Sequence, residues 1–413
     1  MEVNSRAEIL APVGSEESLT AALQAGADAI YLGVGKLNMR SGTRNNFTPE
    51  DLPVITARCR ERGVKVYLTL NTILFDEDMS RMNSLVASAA RSGVDAVIAS
   101  DPFVMQTARL AGLAVHISTQ CNITNIESVR FYSQWADVMV LARELSLKQV
   151  AEISRQIEEQ KICGPAGKPV RLEVFVHGAL CMAVSGKCYL SLHSQNASAN
   201  RGACLQNCRR PYVVTDKQSG TELEVENEYI MSAKDLCTIR FLDQILAAGA
   251  SLLKIEGRGR SADYVEATVR CYREAVTAVD KGEFTLDKIL KWEEDLSEVY
   301  NRGFWDGYYL GQKMGEWNDV HGSKATVKKV YLGPAKTWYA KPKAGVFQLQ
   351  SGELKSGDKI MISGPTTGVI KTVAGEMRLE DHPVDSVQKG DLFSMKIEKK
   401  VRASDKLYKL VDV

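Results

Sequence analysis

From residue 8 onward the chain repeats one pattern, a short and continuously apolar run followed by an amphipathic stretch, at a pitch of about 25 to 35 residues. The runs are EILAPVG, ADAIYLGV, VKVYLTLN, DAVIASD, AVHISTQ, DVMVLARE, RLEVFVHG and SLLKIEGR. They do not alternate polar with apolar, which marks strands buried on both faces of a parallel sheet. The stretches between them carry helix signals. Ser15 and Gly26 stand as N-cap and C-cap around EESLTAALQA, and Thr48 with Pro49 opens the next helix. Eight strand-helix units in about 280 residues predict an α/β chain closed into a (β/α)8 TIM-like barrel, with a doubly wound open sheet as the alternative. A length of 413 residues leaves room for a small second unit.

Composition excludes other classes. With 45% hydrophobic and 25% charged residues the chain is neither disordered nor of low complexity. No run of 18 apolar residues occurs, and the charged start MEVNSRAEIL leads straight into a strand, so a cytoplasmic protein with no membrane partner is expected.

In a barrel of this type, polar residues at the C-terminal ends of the strands line the active site. Those ends carry Asn71, Asp101, Gln120, Arg143, Glu144, His177, Lys254, Glu256 and Arg258. Asp101, just before Pro102, reads as a helix cap. Lys254, Glu256 and Arg258 occupy alternate positions, so on a continuing strand they share one face and point together into the barrel mouth. Three charges there need a ligand or partners to offset their desolvation.

After Tyr309 the texture changes to short strands with turn glycines every eight to twelve residues, which predicts a small antiparallel β-barrel over 321–413 beside a barrel unit over 1–320. The phrase GELKSGDKIMISG resembles the second domain of translation elongation factors. This tail holds 17 Lys and Arg against 10 Asp and Glu, an excess of seven in a chain whose net charge is +1. Lys161 to Tyr212 adds seven basic residues with Glu173 as its one acid. Two basic regions on an acidic body fit a polyanion binder, so the tail is read as an RNA-contacting appendage, with a lid that only packs on the barrel as the alternative.

Of nine cysteines, four fall within 28 residues, in an insertion at about 178–237 after the seventh strand: Cys181, Cys188, Cys204 and Cys208. In a reducing compartment such a group points to metal or redox chemistry. Four thiolates suit tetrahedral zinc or an iron-sulfur cluster. Zinc ribbons bring two tight pairs; here one pair is tight and the other is spread by six residues, which favours a [4Fe-4S] cluster. Lys187, Arg201, Arg209 and Arg210 favour thiolate over thiol. Cys237 is an alternative fourth ligand. Cys59 and Cys271 lie on apolar helix faces and read as core.

The stretch Glu173-x-Phe175-x2-Gly178-Ala179-Leu180-Cys181-x4-Gly186-x-Cys188-x-Leu190-Ser191 resembles the signature of the collagenase-like peptidase family of unknown catalytic type. APVGSEESLTAALQAGADAIYLG, NRGACLQNCRRPY, MSAKDLC and KIEGRGRSADYV are similar to that family too, so the likeness spans about residues 8 to 320. Several members are hydroxylating proteins that carry [4Fe-4S] clusters and work without molecular oxygen. One branch forms 5-hydroxyuridine at the tRNA wobble position with prephenate as hydroxyl donor, another hydroxylates a cytidine of 23S rRNA, and a third hydroxylates the ubiquinone ring. Length and the basic tail favour the tRNA branch. The resemblance therefore implies tRNA and a small dicarboxylate, prephenate, as partners, and allows a second family member or a homo-oligomer.

On that reading Arg40, Arg143, Lys254 and Arg258 hold the carboxylates, while Glu256 or His177 moves the proton, with Lys254 beside them. Asn71, Gln120 and Glu144 complete the substrate pocket. Three other classes stay in view: a collagenase-like peptidase, although HExxH and GxSxG are absent from the sequence, a non-catalytic RNA-binding protein with a structural cluster, and a hydroxylase of a quinone or another small ring.

Overall fold

A computed structural model describes residues 7–35, 37–39, 47–210, 212, 214–215, 217–220, 222–223, 231–312, 314–318 and 322–413. Eight parallel strands form the barrel: β1 (Glu8–Pro12), β2 (Ala29–Leu32), β3 (Lys65–Leu70), β4 (Ala96–Ala99), β5 (Ala114–Ile117), β6 (Val138–Val140), β7 (Arg171–Ala179) and β8 (Ala250–Ile255). Each pairs with the next, and β8 closes the ring by pairing with both β7 and β1. The fold of this unit is a (β/α)8 TIM-like barrel, closed where the doubly wound alternative would leave the sheet open.

Local chemistry explains the helices. Ser15 accepts from the backbone of Ser18, which returns the bond in a capping box, and Asp101 accepts from the Phe103 amide above Pro102. Asp101 is thus the cap that its place before proline predicts. The longest helix, Ala262–Asp280, follows β8 and buries Tyr264, Val265, Cys271 and Tyr272 against the barrel. Cys59 and Cys271 are core residues, fully buried on their helices.

Side chains divide by strand parity. Ile9, Ile30, Val66, Val97 and Val174 face the helices in the outer core, whereas Leu10, Tyr31, Tyr67, Ile98 and Leu252 fill the barrel interior. That interior also holds charge. The Lys254 ammonium lies 2.6 Å from Glu173, which is 0% exposed, and His116 Nδ1 is 3.7 Å from the other Glu173 oxygen, beyond hydrogen-bond reach. Burial alone would raise the Glu173 carboxyl, but the Lys254 ammonium and His116 beside it hold it down at about 2.

The insertion leaves and re-enters the barrel at one point. The end of β7 pairs antiparallel with Asp235–Cys237, Ala179 opposite Asp235 and His177 opposite Cys237, and that strand pairs in turn with Phe304–Trp305. Beyond the barrel, Val327–Tyr339 begins an antiparallel eight-stranded sheet with its own core, centred on Leu332, Phe347, Ile362, Phe393 and Leu407. One face of this sheet packs on the barrel through Met361 and Val369 against Ala21 and Ala262. Thr20 donates to the Pro365 carbonyl at 2.5 Å and Gln24 to the Thr367 carbonyl at 3.0 Å. Among the described residues no helix is long and apolar enough to cross a membrane.

Candidate active site

A cavity of about 350 Å³ opens at the C-terminal ends of the strands. Tyr31, Ile98 and Phe175 reach it from the barrel interior, and the insertion supplies the opposite wall. Arg143, Arg209, Lys254, Arg258, Arg260 and Arg302 line it, with Glu256 as the carboxylate among them. An anion is the ligand that such a wall attracts.

Each cation is aimed by a specific partner. Arg143 donates to the Ala179 carbonyl at 3.0 Å and lies 3.8 Å over the Phe175 ring. Among the described residues its buried Nε has no partner, nor has the buried Oδ1 of Asn71, whose amide donates to Ser118 at 3.3 Å. An unmet donor and an unmet acceptor at one cavity are places for a ligand's polar groups. Arg258 donates to Thr69 at 2.7 Å and to Asn38 at 3.2 Å. Glycine makes room for this arrangement: a Cβ on Gly33 would stand 2.6 Å from the Arg258 guanidinium and 2.5 Å from Asn38. Tyr31 donates to the Ile255 carbonyl at 2.8 Å and to Glu256 at 3.3 Å, holding that carboxylate at the cavity.

Strand β8 ends at Ile255, with a register irregularity against β7 at Lys254. Lys254 therefore points into the barrel toward Glu173, while Glu256 and Arg258 come from the following loop. They do not share one strand face; the strand brings Lys254 to the cavity and the loop brings Glu256 and Arg258.

Gly178 stands where that loop meets β7. Its φ is +103°, and a Cβ there would lie 2.4 Å from the Glu256 carbonyl and 2.8 Å from the Tyr264 hydroxyl. Backbone cannot step aside cheaply, so Gly178→Ala is expected to destabilise the fold by about 1–3 kcal/mol and displace Glu256. A wild-type melting temperature in thermal denaturation would contradict this.

The cysteine wall is fixed by its arginines. Arg209 donates to the Leu180 carbonyl at 2.6 Å, the Ala233 carbonyl at 2.6 Å and Ser232 at 2.9 Å, tying together both ends of the insertion. Arg201 bonds Asp78 at 2.8 Å, holding that carboxyl below its usual range, and lies 3.8 Å over the Phe75 ring. The Ile73 amide donates to the Asn200 carbonyl at 3.0 Å. The insertion is thus strapped across the loop after β3. A Cβ on Gly186, at φ +75°, would stand 3.3 Å from the Gln120 side chain.

Cys181, Cys188, Cys204 and Cys208 all line this cavity. Burial pushes the Cys208 thiol up; Arg209 opposes that, and Cys181, Cys204 and Cys188 add to it. Among the described residues no three of His, Cys, Asp and Glu are placed to hold a metal ion. A single zinc ion needs its sulfurs drawn in to about 2.3 Å each, whereas a four-iron cluster spreads its thiolates round a larger core. The donor set, four soft sulfurs on one cavity wall, is suited to such a cluster.

The structure does not bring every expected residue to the cavity. His177 is 1% exposed and does not line it. Its ring is packed among Tyr264, Tyr272 and Phe304, and burial, with Arg260 nearby, pushes its pKa down to about 3, so the imidazole is neutral and sealed from substrate. That removes it as proton shuttle and leaves Glu256. Glu144 lies in a turn with its side chain exposed, away from the cavity lining. Cys237 is buried in the strand beneath the insertion, where burial pushes its thiol up to about 12, and it does not line the cavity. Arg40 lies outside the described residues. Asn71, Gln120, Arg143, Lys254, Glu256 and Arg258 do line the cavity.

Tyr31, Thr69, Arg260 and Arg302 belong to the lining as well, although no sequence expectation included them. Arg260 had a visible signal, a second arginine two residues past Arg258. Arg302 follows the last helix of the barrel region and carries no motif.

Residues 14–319 match the model of Peptidase family U32. The chain belongs to that family. A Porphyromonas gingivalis protein named Collagenase is 53% identical over 402 residues, 97% of each chain. A Bacillus subtilis protein named tRNA hydroxylation protein P1 is 31% identical over 430 residues, 98% of this chain and 96% of the other. An Escherichia coli protein named as a 23S rRNA 5-hydroxycytidine synthase is 32% identical over 324 residues, 76% of this chain but 47% of its own length. The U32 family therefore includes proteins named for RNA hydroxylation and proteins named as peptidases.

Proposed function

We propose that this chain is an oxygen-independent tRNA hydroxylase that forms 5-hydroxyuridine at the wobble position, with prephenate as hydroxyl donor. The observation that carries the reading is the composition of one cavity: among the described residues its walls hold four cysteines, six cations, one carboxylate and no histidine. Such a wall suits a dianion beside an iron-sulfur centre. It does not suit the serine or cysteine chemistry of a hydrolase, which needs a base next to its nucleophile. The likeness to the B. subtilis relative supports the tRNA substrate, because it runs through both the barrel and the C-terminal sheet.

Arg143 and Arg258 would bind the donor's carboxylates, with the unmet Nε of Arg143 as one contact. Asn71 and Gln120 would orient the uracil edge, and Glu256, held by Tyr31, would accept or return the proton. Cys181, Cys188, Cys204 and Cys208 would hold a [4Fe-4S] cluster, which when bound supplies one-electron chemistry at the cavity wall. The basic tail would hold tRNA phosphates.

Two tests follow. Mass spectrometry of tRNA nucleosides from cells with and without the gene should show 5-hydroxyuridine only in its presence; unchanged levels would refute the assignment. Arg143→Ala and Arg258→Ala should each lower modification in cells by about 100-fold, as expected when a positioning contact to the reacting molecule is lost. Full modification in both variants would remove the donor site from this cavity.

The name of the 53% identical relative favours peptide hydrolysis as a second reading. Collagen cleavage by iron-free protein would establish that reading.

A further inference from the structure

Arg258, Gly259 and Arg260 form a shared wall. They line the main cavity on one side and, on the other, a cavity of about 460 Å³ between the barrel and the C-terminal sheet. At this wall Arg260 and Arg302 converge on one carboxylate. Arg260 Nη2 is 3.5 Å from Asp235 Oδ2, and Arg302 Nη1 is 3.4 Å from Asp235 Oδ1. Asp235 itself is 1% exposed, fixed in the strand at the root of the insertion. Both guanidiniums also lie over the Tyr300 ring, at 3.8 and 5.3 Å.

One buried acid and one ring therefore aim two planar forks. Each guanidinium carries five N–H donors and makes one long side-chain hydrogen bond among the described residues. Their side chains are only 15% and 12% exposed, so a pair whose charge is half compensated is held in a largely desolvated wall. That arrangement is costly unless an oxyanion completes it. Fixed forks recognise such a group by paired hydrogen bonds.

The position of the pair selects the source of the oxyanion. Arg143 and Arg258 border the main cavity alongside the barrel-interior residues Phe175 and Thr69, where a small dianion would sit. Arg260, like Arg258, borders both cavities, but it is aimed at Asp235 and the Tyr300 ring and not at the barrel interior, and Lys406 and Tyr408 line the second cavity with it. Lys329 in that cleft is taken by Asp263 at 2.6 Å and Glu17 also lines it, which leaves the arginines and Lys406 as the cations that can attract an anion there.

We propose that Arg260 and Arg302 clamp a backbone phosphate of the RNA strand beside the nucleotide that enters the main cavity, with the flanking strand passing along the cleft under the C-terminal sheet. This rests on the RNA reading above and adds where the strand is gripped.

The test measures binding of an unmodified transcript of a tRNA with a wobble uridine, across salt concentrations, to the full chain and to Arg260→Gln and Arg302→Gln made singly. Single variants leave Asp235 one arginine partner. Each should bind the transcript about tenfold more weakly at fixed salt, with the dependence of log K on log salt shallower by about 1, a larger loss than the same substitution causes in prephenate binding. Arg260→Lys and Arg302→Lys keep the charge and lose the fork; they should weaken affinity several-fold with little change in the salt dependence, and they decide the matter if the Gln variants do not fold.

Wild-type affinity and salt dependence in the variants, with tRNA binding intact in the parent, would overturn the clamp and leave the RNA reading standing. Loss of prephenate binding with RNA binding preserved would overturn it too, by assigning the pair to the small dianion. A parent protein that does not bind the transcript would take down both.

Discussion

Protein carrying Cys208→Ser, prepared without oxygen and supplied with iron and sulfide, is expected to hold a small fraction of the wild-type iron and acid-labile sulfide. The same loss is expected for Cys181→Ser, Cys188→Ser and Cys204→Ser, with wobble 5-hydroxyuridine disappearing from tRNA in each case. Cys237→Ala should keep its iron. The contrast comes from placement: the first four sulfurs line one cavity wall, whereas Cys237 is sealed in the strand below, where burial keeps its thiol protonated. Serine oxygen is a hard donor and replaces a soft thiolate poorly. Iron content is read independently of activity, so a failure of tRNA modification with iron retained would point to substrate handling. Wild-type iron in Cys208→Ser, or its loss in Cys237→Ala, would reverse the ligand assignment.

Glu173→Ala is expected to destabilise the barrel by about 3–5 kcal/mol, measured as a lower midpoint in denaturant. The substitution leaves the Lys254 ammonium in the barrel interior without the carboxylate 2.6 Å away. Glu173→Leu combined with Lys254→Met should recover most of that loss, because a well-packed apolar pair has no charge to desolvate. The same pair sets an acid limit. The Glu173 carboxyl is lowered from 4.5 to about 2 in the folded protein, so its stabilisation is fully present above pH 4.5 and is lost as pH falls toward 2. That loss amounts to roughly 3 kcal/mol. The double variant should lack this component of acid sensitivity; an unchanged acid-denaturation profile would show that other carboxyls dominate.

Much of this was legible in the chain. Buried parallel strands must be apolar on both faces, and helices that cover them must be amphipathic, so the eight strand-helix units follow from period and pitch, while the pairing of β8 with β1 decided for the closed barrel over the open sheet. The clustering of Cys181, Cys188, Cys204 and Cys208 was visible because an insertion confines them within a short stretch of sequence. His177 was misread because a polar residue near a strand end has two destinations. Here β7 runs on to Ala179 and turns the imidazole into an aromatic cage.

By itself, then, the sequence determined the eight strand-helix units, the second core after Tyr309 and the cysteine cluster, since each rests on residues that are neighbours along the chain or recur at a fixed period. Only the tertiary structure decided that Lys254 pairs with Glu173 while lining the cavity, that Cys237 stands apart, and that Arg302 joins Arg260 on Asp235. Those outcomes depend on contacts between residues 25 to 81 positions apart, set by strand register and by where β8 ends. Such contacts leave no periodic trace, because a charge's partner is chosen by distance in space and not along the chain.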